Sequence, residues 1–338
     1  MFLHIFRKFA DQNHTHKVNV NNPHDRYFKE IFSGKSEASA FLKGSLSPEL
    51  VKNIDFDSLK PLKDTFIDEE LAENFSDLLY TVKYKGKTKI QIALLFEHKS
   101  SPVEYPHFQL LKYMLKIWEA GIKEKKTPVP VIPIVFYHGK KKWNQKRFEN
   151  YFEGIDNNIS RFLPSFEYFL NDLSKQSDEE IVKKYHEIKV RTALLLMKNI
   201  FDEARLKDRI PFIFYGTRKI ENTETGEKFF TATIYYLFNF VEKIENITEA
   251  IKTSSPKGGK IAMTIATQLE QKGLQRGLQR GLQKGLQKGL QKGLYEGRKE
   301  SVIKLFKKAG LTIDQIVEYL ELDRKFVVKI LKEANLID

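Results

Sequence analysis

The stretch from Phe75 to Ser100 constrains this chain more than any other. Phe75-Ser-Asp77-Leu-Leu-Tyr80 and Thr81-Val-Lys-Tyr84 lead into Lys85-Gly86-Lys87, and the apolar run Ile90-Gln-Ile-Ala-Leu-Leu-Phe96 leaves it. Residues that favour strands on both sides of a Gly-centred turn predict a β-hairpin. Pairing symmetric about Gly86 sets Asp77 opposite Leu95. Glu97 is then its diagonal neighbour, roughly 7–8 Å away or less at Cβ. Glu97 and Lys99 share one strand face, because side chains alternate with period two. A run apolar on both faces is a central strand, and charges at its end need a reason.

Two carboxylates this close suit Mg²⁺, or another divalent cation such as Mn²⁺ or Ca²⁺. Hard cations take one or two carboxylates together with waters and phosphate oxygens. Such a cation lowers the pKa of a bound water and steadies charge building on phosphorus. Lys99 can orient that water or neutralise the phosphorane. Spacing alone favours an exposed ion pair between Asp77 and Lys99 at a strand end, and the apolar strand running into Glu97 is what weighs against it.

Asp77, the twenty-residue gap and Glu97-His98-Lys99 resemble the PD-(D/E)xK nuclease signature. The flanking residues resemble one branch of it, the recombination-promoting (Rpn) nucleases or YhgA-like transposases. The stretches that carry this resemblance begin with Pro23-His24-Asp25-Arg-Tyr-Phe28-Lys29-Glu30-Ile-Phe32, the segment from Phe75 to Tyr80 and the segment from Leu95 to Ser100. Gln109-Leu-Leu-Lys-Tyr113 and the segment from Val131 to Gly139, with Trp143, complete them over residues 22–145. The resemblance implies a restriction-endonuclease-like mixed α/β sheet flanked by helices. It implies a metal-dependent DNA endonuclease that promotes recombination or transposition-like events. Asp77 and Glu97 would hold the metal and Lys99 would assist the water or the phosphorane. The Gln109 amide would hold the nucleophilic water or a phosphate, its other reading being the polar edge of an amphipathic helix.

Local geometry offers two further candidate ligands. Strand alternation turns the His98 side chain away from Glu97 and Lys99, which makes its backbone carbonyl, not its ring, the candidate for a further ligand. Glu30, on a helix opened by Asp25, is either a third carboxylate or a solvated acid.

The 338 residues, 41% of them hydrophobic, are enough for one large domain and an appendage. No apolar run approaches the roughly 18 residues of a membrane span, and the opening residues Met1 to Phe6 are too short for a secretory signal. With no cysteine in the chain, disulfides, thiolate zinc sites and a cysteine nucleophile are excluded. A cytoplasmic protein with no membrane partner fits these facts. A formal charge of +13 favours a polyanion, DNA or RNA first, although a lysine-rich composition alone also raises the charge.

Four segments are expected in order. Residues 1–21 read as a mobile tail with incidental histidines. Residues 22–250 form the nuclease-like domain with a helical C-terminal part. Within it Asn53 to Glu73 reads as polar and turn-rich, and Phe108, Leu111, Leu115 and Trp118 give a helix a sheet-facing stripe. The helix between Ile90–Phe96 and Val129–Tyr137 implies a parallel crossover. The loop from Gly139 to Trp143 is basic with an aromatic cap. From Phe148 to Ile251 the pattern is mainly helical, with long helices over 178–202 and 231–244 and a strand or loop at 210–215. Residues 251–300 read as a linker or conditional helix carrying six copies of Gln-[Lys/Arg]-Gly-Leu over Gln271 to Leu294. Those copies also offer a route to homo-oligomers. Residues 301–338 form an all-helical tail resembling a helix-turn-helix.

The rival readings are a catalytically inactive DNA-binding accessory protein and a self-associating interaction protein. A DDE-type transposase fits less well, since that chemistry wants three carboxylates and no Lys in the second motif.

Overall fold

A computed structural model describes residues 22–62, 76–86, 88–97 and 102–338, with the backbone course alone at 76, 77, 93 and 95–97. The tail expected over 1–21 and the acidic stretch from Asp68 to Glu73 lie outside the described residues. The chain divides into two compact units, Met1–Gln268 and Leu269–Asp338.

In the first unit α1 (Pro23–Phe32), α2 (Lys35–Ser45) and α3 (Pro48–Asn53) precede β1 (Ile54–Pro61), β2 (Ser76–Tyr84) and β3 (Thr88–Glu97). Next come α4 (Pro106–Lys123), β4 (Val131–Tyr137), the single-turn α5 (Asn157–Ser160) and β5 (Phe169–Asp172). The remaining helices are α6 (Asp178–Lys184), α7 (Ile188–Asn199), α8 (Glu203–Ile213), α9 (Glu224–Phe238), α10 (Ile244–Ser254) and α11 (Pro256–Ala309), which starts here. Asn22, not Asp25, caps α1, accepting from the Asp25 amide at 3.2 Å. Pro23 in the first turn has no N–H to satisfy, so the helix starts early.

The five strands lie in sequence order, β1–β2–β3 antiparallel and β3–β4–β5 parallel. This is a mixed α/β fold. The hairpin pairs Asp77 with Leu95 and Tyr84 with Thr88, as symmetry about Gly86 requires. Lys85 and Gly86 take left-handed φ of 48° and 74° to close it. The crossover through α4 makes β3 and β4 the expected parallel pair.

Period-two alternation sorts these strands into two faces. Tyr80 and Phe136 belong to the face that α1 and α2 cover. The Tyr80 hydroxyl donates to the Phe32 carbonyl at 2.6 Å, and the Phe136 ring stacks on Phe28 at 5.0 Å. Leu79, Val135 and Tyr137 belong to the other face. Leu79 packs on Tyr113 and Ile117 of α4, while Val135 and Tyr137 pack with Leu110, Trp143 and Tyr168.

Several expectations are corrected. The sheet-facing set of α4 is Leu110, Tyr113, Met114 and Ile117, whereas Phe108 and Leu115 are 44% and 46% exposed. Apolar residues almost encircle this helix, so spacing could not choose the stripe; Trp118 instead donates to the Val129 carbonyl at 2.8 Å. β1 occupies part of the stretch read as turn-rich. Its alternation Ile54, Phe56 slips phase at Leu59 through an irregularity between Asp55 and Lys60. β5 likewise interrupts the helical reading of 148–251. The span 178–202 is two helices, broken where Tyr185 turns inward, its hydroxyl accepting from the Asn171 side-chain amide at 2.6 Å and meeting the Ser45 hydroxyl at 3.5 Å. Residues 231–244 are split between α9 and α10. Residues 210–213 end α8 despite Pro211, because Leu206, Ile210 and Ile213 bury at helical spacing. Trp143 is no exposed loop cap: it is 2% exposed, and its indole donates to Tyr168 at 3.2 Å.

In the second unit the repeat is helical throughout, as part of α11. Three of every four residues are strong helix formers, which offsets the glycine cost. Gly310, at φ 65°, ends that helix, and a Thr312–Gln315 capping box opens α12 (Ile313–Leu320). Glu321 in the left-handed region and the Asp323 cap then set α13 (Arg324–Glu333). Val302, Ile316, Val327, Ile330 and Leu331 form a core of their own.

The Tyr80–Phe32 bond ties α1 to the hairpin through a fully buried ring. Tyr80→Phe should cost about 1–3 kcal/mol, since it strands a buried carbonyl. Urea denaturation of the two proteins measures this, and an unchanged midpoint would show that water serves the carbonyl instead.

Candidate active site

Positions 77 and 97 lie at the open end of the hairpin, where β2 begins and β3 ends. Asp77 pairs with Leu95, and Glu97 pairs with Tyr137 at the end of β4. Position 77 shares the alternation of Leu79, and position 97 shares the face of its partner Tyr137. Both Leu79 and Tyr137 pack on the α4 side. The two carboxylate positions therefore share the α4 face, as diagonal neighbours at one end of the sheet. His98 and Lys99 lie outside the described residues.

α4 begins at Pro106, and Gln109 lies in its first turn. Gln109 is half-buried, and among the described residues its Oε1 is a buried acceptor without a hydrogen-bond partner. Tyr113 does not continue a polar edge from it. The ring is 2% exposed and packs against Leu79 and Ile117. Glu30 stands on α1, whose Phe28 and Phe32 pack on the opposite face of the sheet. It is exposed and lines a groove with Arg26, Tyr235, Tyr236 and Asn239. Burial lowers the pKa of Arg26, and the Glu30 carboxylate opposes that shift.

The first turn of α4 is fixed by groups for which the sequence offers no local signal. His107 is 2% exposed, and its Nδ1 lies 2.9 Å from the Tyr151 hydroxyl. The rings of Phe166 and Tyr168 meet its edge at 5.3 and 5.0 Å. Burial raises the pKa of Tyr151, and pushes that of Tyr168 up to about 12. Asp172, buried at the end of β5, accepts from the Trp143 amide at 3.1 Å and the Ser174 amide at 2.9 Å. The partners in these contacts, bar Ser174, lie 29 to 61 residues apart, so only the folded chain shows them. On the loop after β4, the Lys140 ammonium sits 5.7 Å above the Phe201 ring.

The α4 face thus carries two diagonal acid positions at one end of the sheet, and the first turn of α4 carries a buried amide acceptor. Residues 22–228 match the protein family described as "Putative transposase, YhgA-like", and the chain belongs to that family. Among curated proteins it is similar to the recombination-promoting nuclease RpnD of Escherichia coli O157:H7. The two are 27% identical over 258 residues, 74% of this chain and 95% of that one. It is similar to the recombination-promoting nuclease RpnA of Escherichia coli strain K12, 24% identical over 264 residues, 76% of this chain and 86% of the relative. It is also similar to the inactive recombination-promoting nuclease-like protein RpnE of that strain, 26% identical over 261 residues, 75% and 83% of the two. No solved structure matches the chain at a significant level. Among the described residues, no helix is long and apolar enough to cross a membrane.

Burial lowers the pKa of His107, and the Glu149 carboxylate offsets this only in part. The unfolded chain therefore binds the proton more tightly. The stability of the neutral, buried ring is complete above about pH 6.5 and is lost as pH falls through the lowered folded value. His107→Gln should flatten the decline of melting temperature below that pH. Parallel pH profiles for the two proteins would exclude His107 as the titrating group.

Proposed function

We propose that this chain is a metal-dependent DNA endonuclease with a restriction-endonuclease-like sheet, acting in the cytoplasm in recombination or transposition-like events. The observation that carries this reading is the placement of positions 77 and 97 on one face at one end of the sheet, under the helix that holds Gln109. A hairpin whose second strand feeds a crossover to a parallel strand supports the fold assignment. Relatives named as nucleases support the reaction class, and the formal charge of +13 supports a nucleic-acid substrate.

The residues present fit a hard divalent cation, Mg²⁺ or another such as Mn²⁺ or Ca²⁺. Asp77, Glu97 and the His98 carbonyl would offer oxygen ligands, and the stranded Gln109 Oε1 is an acceptor in want of a donor. The cation would supply a bound water of lowered pKa and positive charge beside the phosphate. Asp77 and Glu97 orient the site, and Gln109 accepts a hydrogen bond from the attacking water and so aims its lone pair. Lys99 neutralises charge that grows on the phosphate oxygens as water adds and the ester oxygen leaves. Glu30, on the opposite layer, is left as a surface acid.

The relative named inactive favours a second reading, a DNA-binding accessory protein without catalysis. One experiment separates the two. Supercoiled plasmid should be nicked by the full chain with Mg²⁺ and not with chelator. Asp77→Ala should abolish nicking and spare DNA binding, since losing a negative charge cannot weaken attraction to phosphate. Lys99→Ala should slow it by about 10²–10³. Wild-type rates from both folded variants would refute the site, and binding without any nicking would favour the accessory reading.

A further inference from the structure

Two rings at the start of α4 are left half in solvent by the packing around them. Tyr105, just before the helix, and Phe108, in its first turn, are 47% and 44% exposed. Both are held from behind. Tyr105 meets Tyr151 edge-on at 5.5 Å, and Phe108 lies 5.2 Å from the buried Phe148. Tyr151 is itself fixed by His107, so the support is rigid and the two outer rings need little ordering to bind. Their planes stand at 75° to one another, with centroids 6.0 Å apart.

A basic run leads to them. Lys140-Lys-Lys-Trp-Asn-Gln-Lys-Arg147 places five cations in eight residues, with no acid among them. The buried Trp143 donates its amide to Asp172 and its indole to Tyr168, while Gln145 donates to the Tyr168 carbonyl at 2.7 Å. With Trp143 turned in and Gln145 tied down, Lys141, Lys142, Lys146 and Arg147 are held exposed. Among the described residues none of these four pairs with a carboxylate. The run begins where β4 ends, since the Trp143 ring lies 5.1 Å from Tyr137, the register partner of Glu97. It ends at Phe148, the ring that supports Phe108.

We infer that this surface is a track for single-stranded DNA, with phosphates along the basic run and unpaired bases against Tyr105 and Phe108. Cations along the backbone together with aromatic faces for the bases grip a single strand with little regard to sequence. A duplex offers the phosphates but hides its base faces in one continuous parallel stack, which two rings at 75° cannot join. A protein docked on the rings alone leaves the basic run without a role. The inference rests on the nucleic-acid part of the proposed function and specifies the form of the strand. It holds whether or not the site cuts. Where it does cut, the track brings an unpaired segment to the end of the sheet that carries positions 77 and 97, and so directs cleavage to melted, looped or frayed DNA.

The test is fluorescence anisotropy with the full chain in chelator, so that binding is read apart from cleavage. The probes are a labelled oligothymidylate of about 20 nucleotides, longer than a single stacking site, and a duplex of equal length. Tyr105→Leu with Phe108→Leu keeps the apolar packing and removes the flat rings. This pair should weaken single-strand binding at least about five-fold and leave the duplex within about two-fold. Tyr105→Phe should bind as the unaltered chain does. Lys141→Gln with Lys142→Gln and Lys146→Gln should flatten the log–log salt dependence of single-strand affinity by about 2. Any strand held by the basic tetrapeptide repeat adds to both affinities, so photocrosslinking supplies an independent reading. Mass spectrometry should find the thymine adduct on Tyr105 or Phe108. Single-strand affinity unmoved by the leucine pair, with adducts confined to residues outside 102–152, would overturn the proposal even in a protein that nicks plasmid. An oligouridylate bound more tightly than the oligothymidylate would assign the track to RNA and overturn the DNA reading. Absence of nicking, with the adduct and the leucine effect intact, would remove the catalytic reading and leave this one standing.

Discussion

Everything near the candidate site depends on the register of one hairpin. A side chain in a strand has two choices of face, and a slip of one residue reverses them all. Ile90, Ile92 and Leu94 on one face hold that register against α1 and α2. Leu79, on the other, meets Tyr113 and Ile117. With the apolar positions locked, the register assigns positions 77 and 97 to the α4 face. The placement of these two positions therefore rests on burial elsewhere in the strands, not on any attraction between the charged groups.

Two helices then act as walls of different kinds. α1 is bound to the sheet by aromatic stacking and by the Tyr80 hydroxyl, with Tyr27 stacked on Tyr236 behind it at 4.2 Å. α4 is held at its first turn by His107 within a cluster of rings, and by Leu110 on β4. A polar atom such as Gln109 Oε1 can stay buried beside that turn only because stronger packing fixes the turn around it.

The hairpin, its symmetric register and the parallel crossover were legible in the sequence because each is a local pattern, the longest running from Thr88 to Tyr137, that burial reinforces. β1 was not, since its bulge shifts Leu59 out of phase with Ile54 and Phe56. β5 was hidden by brevity: four residues, two of them the polar Asn171 and Asp172, carry no periodicity. The sheet-facing stripe of α4 could not be chosen from a helix apolar on most sides. At the site, the carboxylate positions follow from spacing. The supports of that site, Trp143 to Asp172 and His107 to Tyr151, join residues that no local pattern relates.

An exact repeat carries a consequence of its own. Each unit adds about 6 Å to the helix and turns its far end by about 40°. Gaining or losing one unit in the gene would then carry the small core around Val302, Ile316 and Val327 along and around the axis, relative to the first unit of the repeat, in equal screw-like steps, with no other residue needing to change.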